Sequence, residues 1–157
     1  MKKRTIRTLL VDDFQSFRQW VAAKLQSQDG RFLVAGEASD GRGAIQRAQE
    51  LAPDLILLDV GLPDMNGIEV EKRIRAVVPL AKILFLSACT DSEVVQCALS
   101  NGAKGYILKF EAERELLPAI NAVSRGSTFV SRRLTRRRGT VRPILISPQA
   151  PRDYESV

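Results

Sequence analysis

The feature that most limits the fold of this chain is an unbroken apolar run, Leu55 to Leu58, that ends at Asp59. Because apolar residues here are continuous rather than alternating, the run is typical of a strand covered on both faces, as in a parallel sheet between helices. Asp59 would then lie at the carboxyl end of that strand, the edge where open α/β sheets bind ligands. Taken alone, Asp59 is equally compatible with ordinary turn chemistry at the end of a strand.

Further apolar runs alternate with amphipathic stretches along the first 124 residues. The predicted strands comprise residues 5–11, 31–38, 55–59, 82–87 and 105–108. The predicted helices comprise residues 16–28, 42–51, 68–77, 92–100 and 112–124. In the first helix Phe17, Val21 and Leu25 repeat on one face, whereas Pro118 is awkward inside the last. Five strands alternating with five helices predict an α/β fold with a parallel sheet covered on both sides.

Polar side chains follow four of the five predicted strands. They are Asp12 and Asp13, then Asp59, Ser87 and Lys109. Parallel strands end at one edge of the sheet, so these side chains should share a site. Carboxylates brought together repel unless one protonates or a cation joins them, and Mg²⁺ prefers such oxygen ligands. The lysine and the hydroxyl could each bind a phosphoryl oxygen. Together these side chains predict Mg²⁺-dependent phosphoryl transfer to a carboxylate.

The composition excludes several other kinds of chemistry. The chain has no histidine, which removes histidine-based acid–base catalysis, Ser/His/Asp triads and an internal phosphohistidine. Two cysteines, Cys89 and Cys97, do not make up a metal-binding set and are expected to be reduced. No apolar run is long enough to cross a bilayer, and the acidic pair after residue 11 prevents the N-terminus from serving as a signal peptide. We therefore expect a cytoplasmic protein without a membrane partner.

The basic charge is concentrated near the C-terminus. Residues 1–124 contain sixteen Lys/Arg and sixteen Asp/Glu, whereas residues 125–142 contain seven Arg and no acidic residue. We expect a domain over residues 1–124 and an Arg-rich, Pro-containing tail over 125–157 that is flexible and solvated. Alternatively, the Arg run could bind phosphate backbones nonspecifically, or it could be the remnant of a linker.

The motif set resembles the receiver domain of bacterial two-component response regulators, the CheY-like family. The resemblance is carried by Asp12-Asp13, by Leu-Leu-Asp59 with Leu62-Pro63 and Gly67, by Ser87-Ala88, and by residues 105–109. Residues 36–41 and 102–106 most resemble receivers of LuxR/FixJ-type transcription regulators. The resemblance implies a doubly wound, flavodoxin-like sheet with strand order 2-1-3-4-5. Relatives of this type continue into a DNA-binding domain, which we expect this chain to lack.

The resemblance also implies the roles of the acidic residues. Asp59 would accept a phosphoryl group from a sensor histidine kinase. Mg²⁺ would be held by Asp12, Asp13, Asp59 and the backbone carbonyl of Gly61.

Three residues in or directly after the fourth and fifth strands complete the implied site. Ser87 and Lys109 would bind the phosphoryl group, and Ser87 with Tyr106 would form a conformational switch. Without the family, Tyr106 can also be interpreted as a half-buried strand aromatic. Many receivers follow the lysine with a cis proline; here Phe110 follows, and we expect a trans bond.

These observations predict a phospho-accepting switch that catalyses only its own phosphorylation and dephosphorylation. One alternative is a Mg²⁺ phosphohydrolase with Asp59 as nucleophile, which would need a substrate pocket and a general acid. Another is a DNA-binding regulator, truncated or acting through the Arg-rich tail, which is the basis for any nucleic-acid partner. A homodimer could form through the face of helix 4, strand 5 and helix 5, or through helices 1 and 5.

Overall fold

The computed structural model describes residues 4–137, with side chains up to Thr135. Its strands are β1 (Ile6–Val11), β2 (Phe32–Ala38), β3 (Leu55–Leu58), β4 (Lys82–Ser87), β5 (Gly105–Leu108) and β6 (Phe129–Val130). Its helices are α1 (Gln15–Gln26), α2 (Gly41–Leu51), α3 (Gly67–Val77), α4 (Ser92–Ser100), α5 (Ala112–Ser124) and α6 (Arg132–Arg137). Among these described residues, no helix is long and apolar enough to cross a membrane.

The strands form one parallel sheet in the order β2-β1-β3-β4-β5-β6. The α/β class and the order of the first five strands are confirmed. The prediction of five strands and five helices was wrong, since the described residues contain six of each. β6 has only two residues and α6 only six, in an Arg-rich segment without a clear apolar pattern. β6 is positioned by its pairing with β5, and α6 follows it in the chain. The local sequence carries no signal for this pairing.

Apolar side chains cover both faces of the sheet, and β3 shows why its sequence is continuous. Ile56 and Leu58 pack on the face covered by α2, α3 and α4, whereas Leu55 and Leu57 pack on the face covered by α1 and α5. All four side chains are at most 2% exposed. A central strand with helices on both sides has no polar face, so the apolar run predicted its position correctly.

Several helix ends near the carboxyl edge of the sheet are capped by side chains. Asp40, Asn66 and Asp91 accept hydrogen bonds from backbone N–H groups at the starts of α2, α3 and α4. Such caps satisfy donors that have no partner within the helix. Pro118 lies inside α5 on its exposed side, and the helix begins before it at Ala112. The described peptide bonds are all trans, including the bond before Phe110.

The segment predicted as a tail begins with structured residues. β6 pairs with Gly105 and Tyr106 of β5, and Leu134 of α6 packs into the core on the α2–α4 side. Residues 125–137 are therefore partly integrated into the sheet, in contrast to the solvated segment expected there. The remaining residues of the predicted tail, 138–157, lie outside the described residues. A division between a domain and a tail stays a prediction.

Candidate functional site

The carboxyl edge of the sheet brings together the acidic residues that were predicted to meet there. Val11 of β1 lies beside Leu58 of β3, so the residues that follow, Asp12 and Asp59, leave neighbouring strands at the same level. Both aspartates are 5% exposed. With Asp13, which is exposed, they place one carboxylate oxygen each within 4.8 Å of one another. The predicted cluster is thus present, formed by two buried carboxylates and one facing solvent.

Lys109 bridges the two buried carboxylates. Its ammonium lies 2.6 Å from Asp12 Oδ2 and 3.0 Å from Asp59 Oδ2. The lysine follows β5 directly and reaches across the sheet edge, which the sequence predicted from its position at a strand end. A single ammonium thereby partly neutralises two carboxylates, and Asp13 adds a third negative charge beside them.

The electrostatics of the cluster favour additional positive charge. Burial, together with the Asp59 carboxylate, raises the pKa of Asp12 above its usual range, although hydrogen bonds from Lys109 and from the Phe14 N–H oppose this. Burial alone would lower the pKa of Lys109, but its hydrogen bonds and charge interactions with Asp12 and Asp59 raise it. The lysine therefore stays protonated. Its single positive charge does not balance the three carboxylates of the cluster.

Backbone groups near Asp59 determine where its carboxylate lies. The N–H of Gly61 donates to Asp59 Oδ1 at 3.3 Å. Gly67, at the start of α3, lies so close to the strand end that a Cβ there would be 2.2 Å from the Asp59 carbonyl oxygen. Glycine at this position lets the helix begin directly against the backbone of the acidic residue. The predicted role of the Gly61 carbonyl as a metal ligand stays a prediction.

Ser87 and Tyr106 are connected through the backbone of one loop residue, Cys89. The Ser87 hydroxyl accepts from the Cys89 N–H at 3.1 Å, and the Tyr106 hydroxyl donates to the Cys89 carbonyl at 2.8 Å. The Tyr106 ring is fully buried and stacks on Phe85 with ring centroids 5.8 Å apart. Burial raises the pKa of Tyr106. The interpretation of Tyr106 as a half-buried strand aromatic was wrong, and its hydroxyl has a specific partner near the sheet edge.

Sequence reasoning missed three residues that surround Lys109 and Asp12. The Lys109 ammonium lies 5.4 Å from the Phe14 ring centroid and 4.7 Å from that of Phe17, within the range of cation–π attraction. Arg18 donates to the backbone carbonyl of Asp12 at 2.5 Å. Phe17 had been assigned only to the packing face of its helix. In the sequence, the one available signal for these contacts was that both phenylalanines lie shortly after the acidic pair.

Comparisons with known proteins agree with this geometry. The family model described as response regulator receiver domain matches residues 8–121. Response regulator protein VraR of Staphylococcus aureus is 36% identical over 124 residues, which cover 79% of this chain and 59% of that protein. The chain therefore spans about three fifths of the length of this curated relative.

Two solved structures are similar in both sequence and fold. One is a LuxR-family two-component response regulator from Aurantimonas sp. SI85-9A1, with a TM-score of 0.80 and 31% identity, covering 85% of this chain and 94% of that one. The other is the response regulator domain of Thermotoga maritima CheB, with a TM-score of 0.70 and 32% identity, covering 79% and 96%. The residues matched by the family model, 8–121, include all three members of the acidic cluster.

Proposed function

This chain belongs to the response regulator receiver domain family, and on that basis we propose that Asp59 accepts a phosphoryl group from a sensor histidine kinase. The observation that carries the proposal is the contact of Lys109 with both Asp12 and Asp59 inside a cluster of three carboxylates. A carboxylate nucleophile beside a fixed ammonium is the arrangement that phosphoryl transfer needs, since positioning and charge neutralisation supply most of its catalysis.

In the proposed step an Asp59 carboxylate oxygen attacks the phosphorus of the donor phosphohistidine. A bond forms between that oxygen and phosphorus as the nitrogen–phosphorus bond breaks, and its electron pair stays on the departing imidazole. The product on this chain is an acyl phosphate. Lys109, held 3.0 Å from Asp59 Oδ2, would pair with one phosphoryl oxygen, and the Ser87 hydroxyl would hydrogen-bond another.

The residues at the site fit a hard divalent cation. Two nearly buried carboxylates and one exposed carboxylate supply oxygen ligands, and burial raises the pKa of Asp12 despite its contact with the Lys109 ammonium, so a further cation would favour its charged form. We propose that Asp12, Asp13 and Asp59, with the Gly61 carbonyl, hold Mg²⁺. When bound, the ion would neutralise charge on phosphoryl oxygens.

Ser87 and Tyr106 are proposed as the switch. Both hydrogen-bond to Cys89, so a movement of the Ser87 hydroxyl toward a phosphoryl group would change the loop that also holds the Tyr106 hydroxyl. We propose that this change alters the surface offered to a signalling partner. A homodimer through the face of α4, β5 and α5, or through α1 and α5, belongs to the same proposal.

Receiver domains act as phospho-accepting switches and not as enzymes that turn over a separate substrate. We propose that this chain catalyses only its own phosphorylation and dephosphorylation, in the cytoplasm, where its two free cysteines would stay reduced. A DNA-binding role through the Arg-rich segment is the less favoured alternative. Within the described residues, Arg133 of that segment approaches Glu111 and the Phe110 ring of this chain.

The proposal is tested by phosphorylating the chain with acetyl phosphate, with and without Mg²⁺, and locating the phosphoryl group by mass spectrometry. We expect Mg²⁺-dependent incorporation of one phosphoryl group that is lost in Asp59→Asn. Asp40→Asn is the matched control. Asp40 lies outside the acidic cluster, and Asn can replace Asp as the N-cap of α2. Undiminished incorporation in Asp59→Asn, or incorporation independent of the metal, would contradict the proposal.

A further inference from the structure

The segment that follows α5 returns to the sheet and contacts β5 beside the functional site. The N–H of Phe129 donates to the Lys104 carbonyl at 3.0 Å, and the N–H of Ser131 donates to the Tyr106 carbonyl at 2.9 Å. These bonds place β6 along the outer edge of β5. Residues 129–133, which we refer to as the β6–α6 clamp, thus lie next to the strand that ends at Lys109.

Ser131 continues the hydrogen bonding of β5 after β6 has ended. Its hydroxyl is fully buried and accepts from the N–H of Leu108 at 2.9 Å, so a side chain satisfies a backbone donor that the two-residue strand does not reach. The same hydroxyl donates to Glu115 Oε1 at 2.5 Å, and Glu115 Oε2 accepts from the N–H of Arg132 at 3.1 Å. Leu108 is the residue immediately before Lys109.

The clamp also contacts the residues that follow Lys109. The Arg133 guanidinium lies 5.2 Å from the centroid of the Phe110 ring, and its Nε is 3.9 Å from Glu111 Oε1. Contacts to residues 106 and 108 precede the lysine, and contacts to residues 110 and 111 follow it. One segment therefore contacts the backbone just before Lys109 and the side chains just after it.

We propose that the hydrogen-bonded pair of Ser131 and Glu115 positions Lys109 for its work at Asp59. The lysine side chain is long, so where its ammonium lies depends on where its backbone is fixed. β5 would be an edge strand without β6, with an unpaired N–H at Leu108. The clamp restricts movement of the end of β5 and so holds the Lys109 ammonium within reach of both Asp12 and Asp59.

This inference deepens the proposed function and rests on it. Ser131 and Glu115 act through the backbone of Leu108 and are positioning residues. A misplacement of 1 Å can cost on the order of 100-fold in rate, so a loosened β5 end should be visible in the kinetics of phosphorylation. Because the hydrogen bonds also stabilise the fold, the test must separate positioning from stability.

The test measures the rate of phosphorylation by acetyl phosphate with Mg²⁺, in the full chain, below the unfolding temperature of each variant. In Ser131→Ala we expect the rate to fall roughly tenfold and the Leu108 amide proton, followed by NMR, to exchange faster. In Ser131→Thr, which keeps the hydroxyl, both should return toward the wild-type values. Thr135→Ala is the matched control, because within the described residues its hydroxyl bonds only to the Arg132 carbonyl of α6, at 2.8 Å; its rate should stay within about twofold.

The outcomes distinguish this inference from the proposed function. If the unaltered chain is not phosphorylated on Asp59, the proposed function fails and the inference with it. If Ser131→Ala loses protection at Leu108 but is phosphorylated at the wild-type rate, the clamp is only structural and the inference is overturned. Should Ser131→Ala not fold, Glu115→Met takes its place, since its side chain offers no oxygen acceptor to the Ser131 hydroxyl or to the Arg132 N–H; a wild-type rate there would likewise overturn the inference.

Discussion

At the scale of single residues, the charge of Lys109 is the feature on which the site depends most. Asp12 and Asp59 are both nearly buried, and their carboxylates meet the same ammonium at 2.6 and 3.0 Å. Two carboxylates brought this close repel each other unless one is protonated or a cation lies between them. The rings of Phe14 and Phe17 cover the ammonium and limit its access to water.

Replacing Lys109 by Met should therefore destabilise the folded chain. Met keeps a long side chain but leaves two buried carboxylates without their cation, so we expect the free energy of unfolding at pH 7 to fall by about 2 kcal/mol. The loss should shrink as the pH is lowered and Asp12, whose pKa is raised by burial, becomes protonated, and also when Mg²⁺ is added. Urea unfolding at several pH values measures this.

Lys24→Met is the control for that change. Lys24 pairs with the exposed Glu113 at 3.4 Å and lies over the Trp20 ring, so it also combines an ion pair with an aromatic contact. Exposed pairs of this kind contribute at most about 1 kcal/mol. Equal stability of the two variants at pH 7 would show that the buried carboxylates do not need Lys109.

At the scale of elements, the junction between β3 and α3 positions Asp59, the proposed phosphoacceptor. α3 begins directly against the end of β3, and the N–H of Gly67 donates to the Val60 carbonyl at 2.7 Å. Asp64 in the same loop accepts from the N–H groups of Gly41 and Arg42 at 2.6 and 3.0 Å, which ties the loop to α2. These backbone hydrogen bonds lower the pKa of Asp64. The loop is thus held from both sides.

Gly67→Ala should disturb this junction. The added Cβ would lie 2.2 Å from the Asp59 carbonyl oxygen and 2.7 Å from Val60 Cα, and backbone atoms cannot yield as a flexible side chain can. We expect a loss of about 1–3 kcal/mol in the free energy of unfolding, despite the higher helix propensity of Ala. Chemical denaturation gives the loss, and slower phosphorylation should accompany it.

Gly61→Ala provides the comparison for stability. No atom lies within 4 Å of a Cβ built at Gly61, and its backbone does not have a positive φ. Its stability should remain within about 0.5 kcal/mol of wild type. A Gly67→Ala variant that matches it would mean that α3 can shift away from β3 without cost.

At the scale of the whole molecule, folding stability should depend on pH through a carboxyl group that is not part of the acidic cluster. Glu71 of α3 is completely buried, and within the described part of the chain no hydrogen bond of good geometry reaches either of its oxygens. The Arg75 guanidinium lies 3.6 Å away, and it favours the charged form together with Asn101 and the N–H of Ala103. Burial outweighs these effects and raises the pKa of Glu71 to about 8.

The sign of the pH dependence follows from that pKa. Between the ordinary pKa of 4.5 and about 8, the folded chain binds a proton on Glu71 that the unfolded chain has released. Raising the pH through this window therefore lowers stability, by up to about 1.4 kcal/mol per pH unit. Glu71→Gln is neutral throughout, so it should become progressively more stable than the unaltered chain from pH 5 to 8. Urea unfolding of both chains measures the difference; a constant difference would mean that Glu71 ionises normally beside Arg75.

Much of the fold was predictable because it depends on local pattern. The continuous apolar residues of β3 and the alternation of strands with helices indicated a parallel sheet covered on both faces, and the order of the first five strands, which the family resemblance implied, is confirmed. The site was then predictable from strand direction, since residues at the carboxyl ends of parallel strands must meet at one edge of the sheet. Asp12, Asp13, Asp59 and Lys109 were found in this way.

What only the tertiary structure decided are the contacts between residues far apart in sequence. Ser131 and Glu115 carry no local signal, yet their hydrogen bonds attach a two-residue strand to β5. The cover of Phe14 and Phe17 over Lys109, and the joint contact of Ser87 and Tyr106 with Cys89, depend equally on elements brought together by the sheet. The sequence by itself determined five of the six described strands and the acidic edge, because apolar periodicity is a local property and the alternation of strands with helices requires parallel strands. The groups that hold Lys109 in place were decided by packing, because their partners come from separate elements.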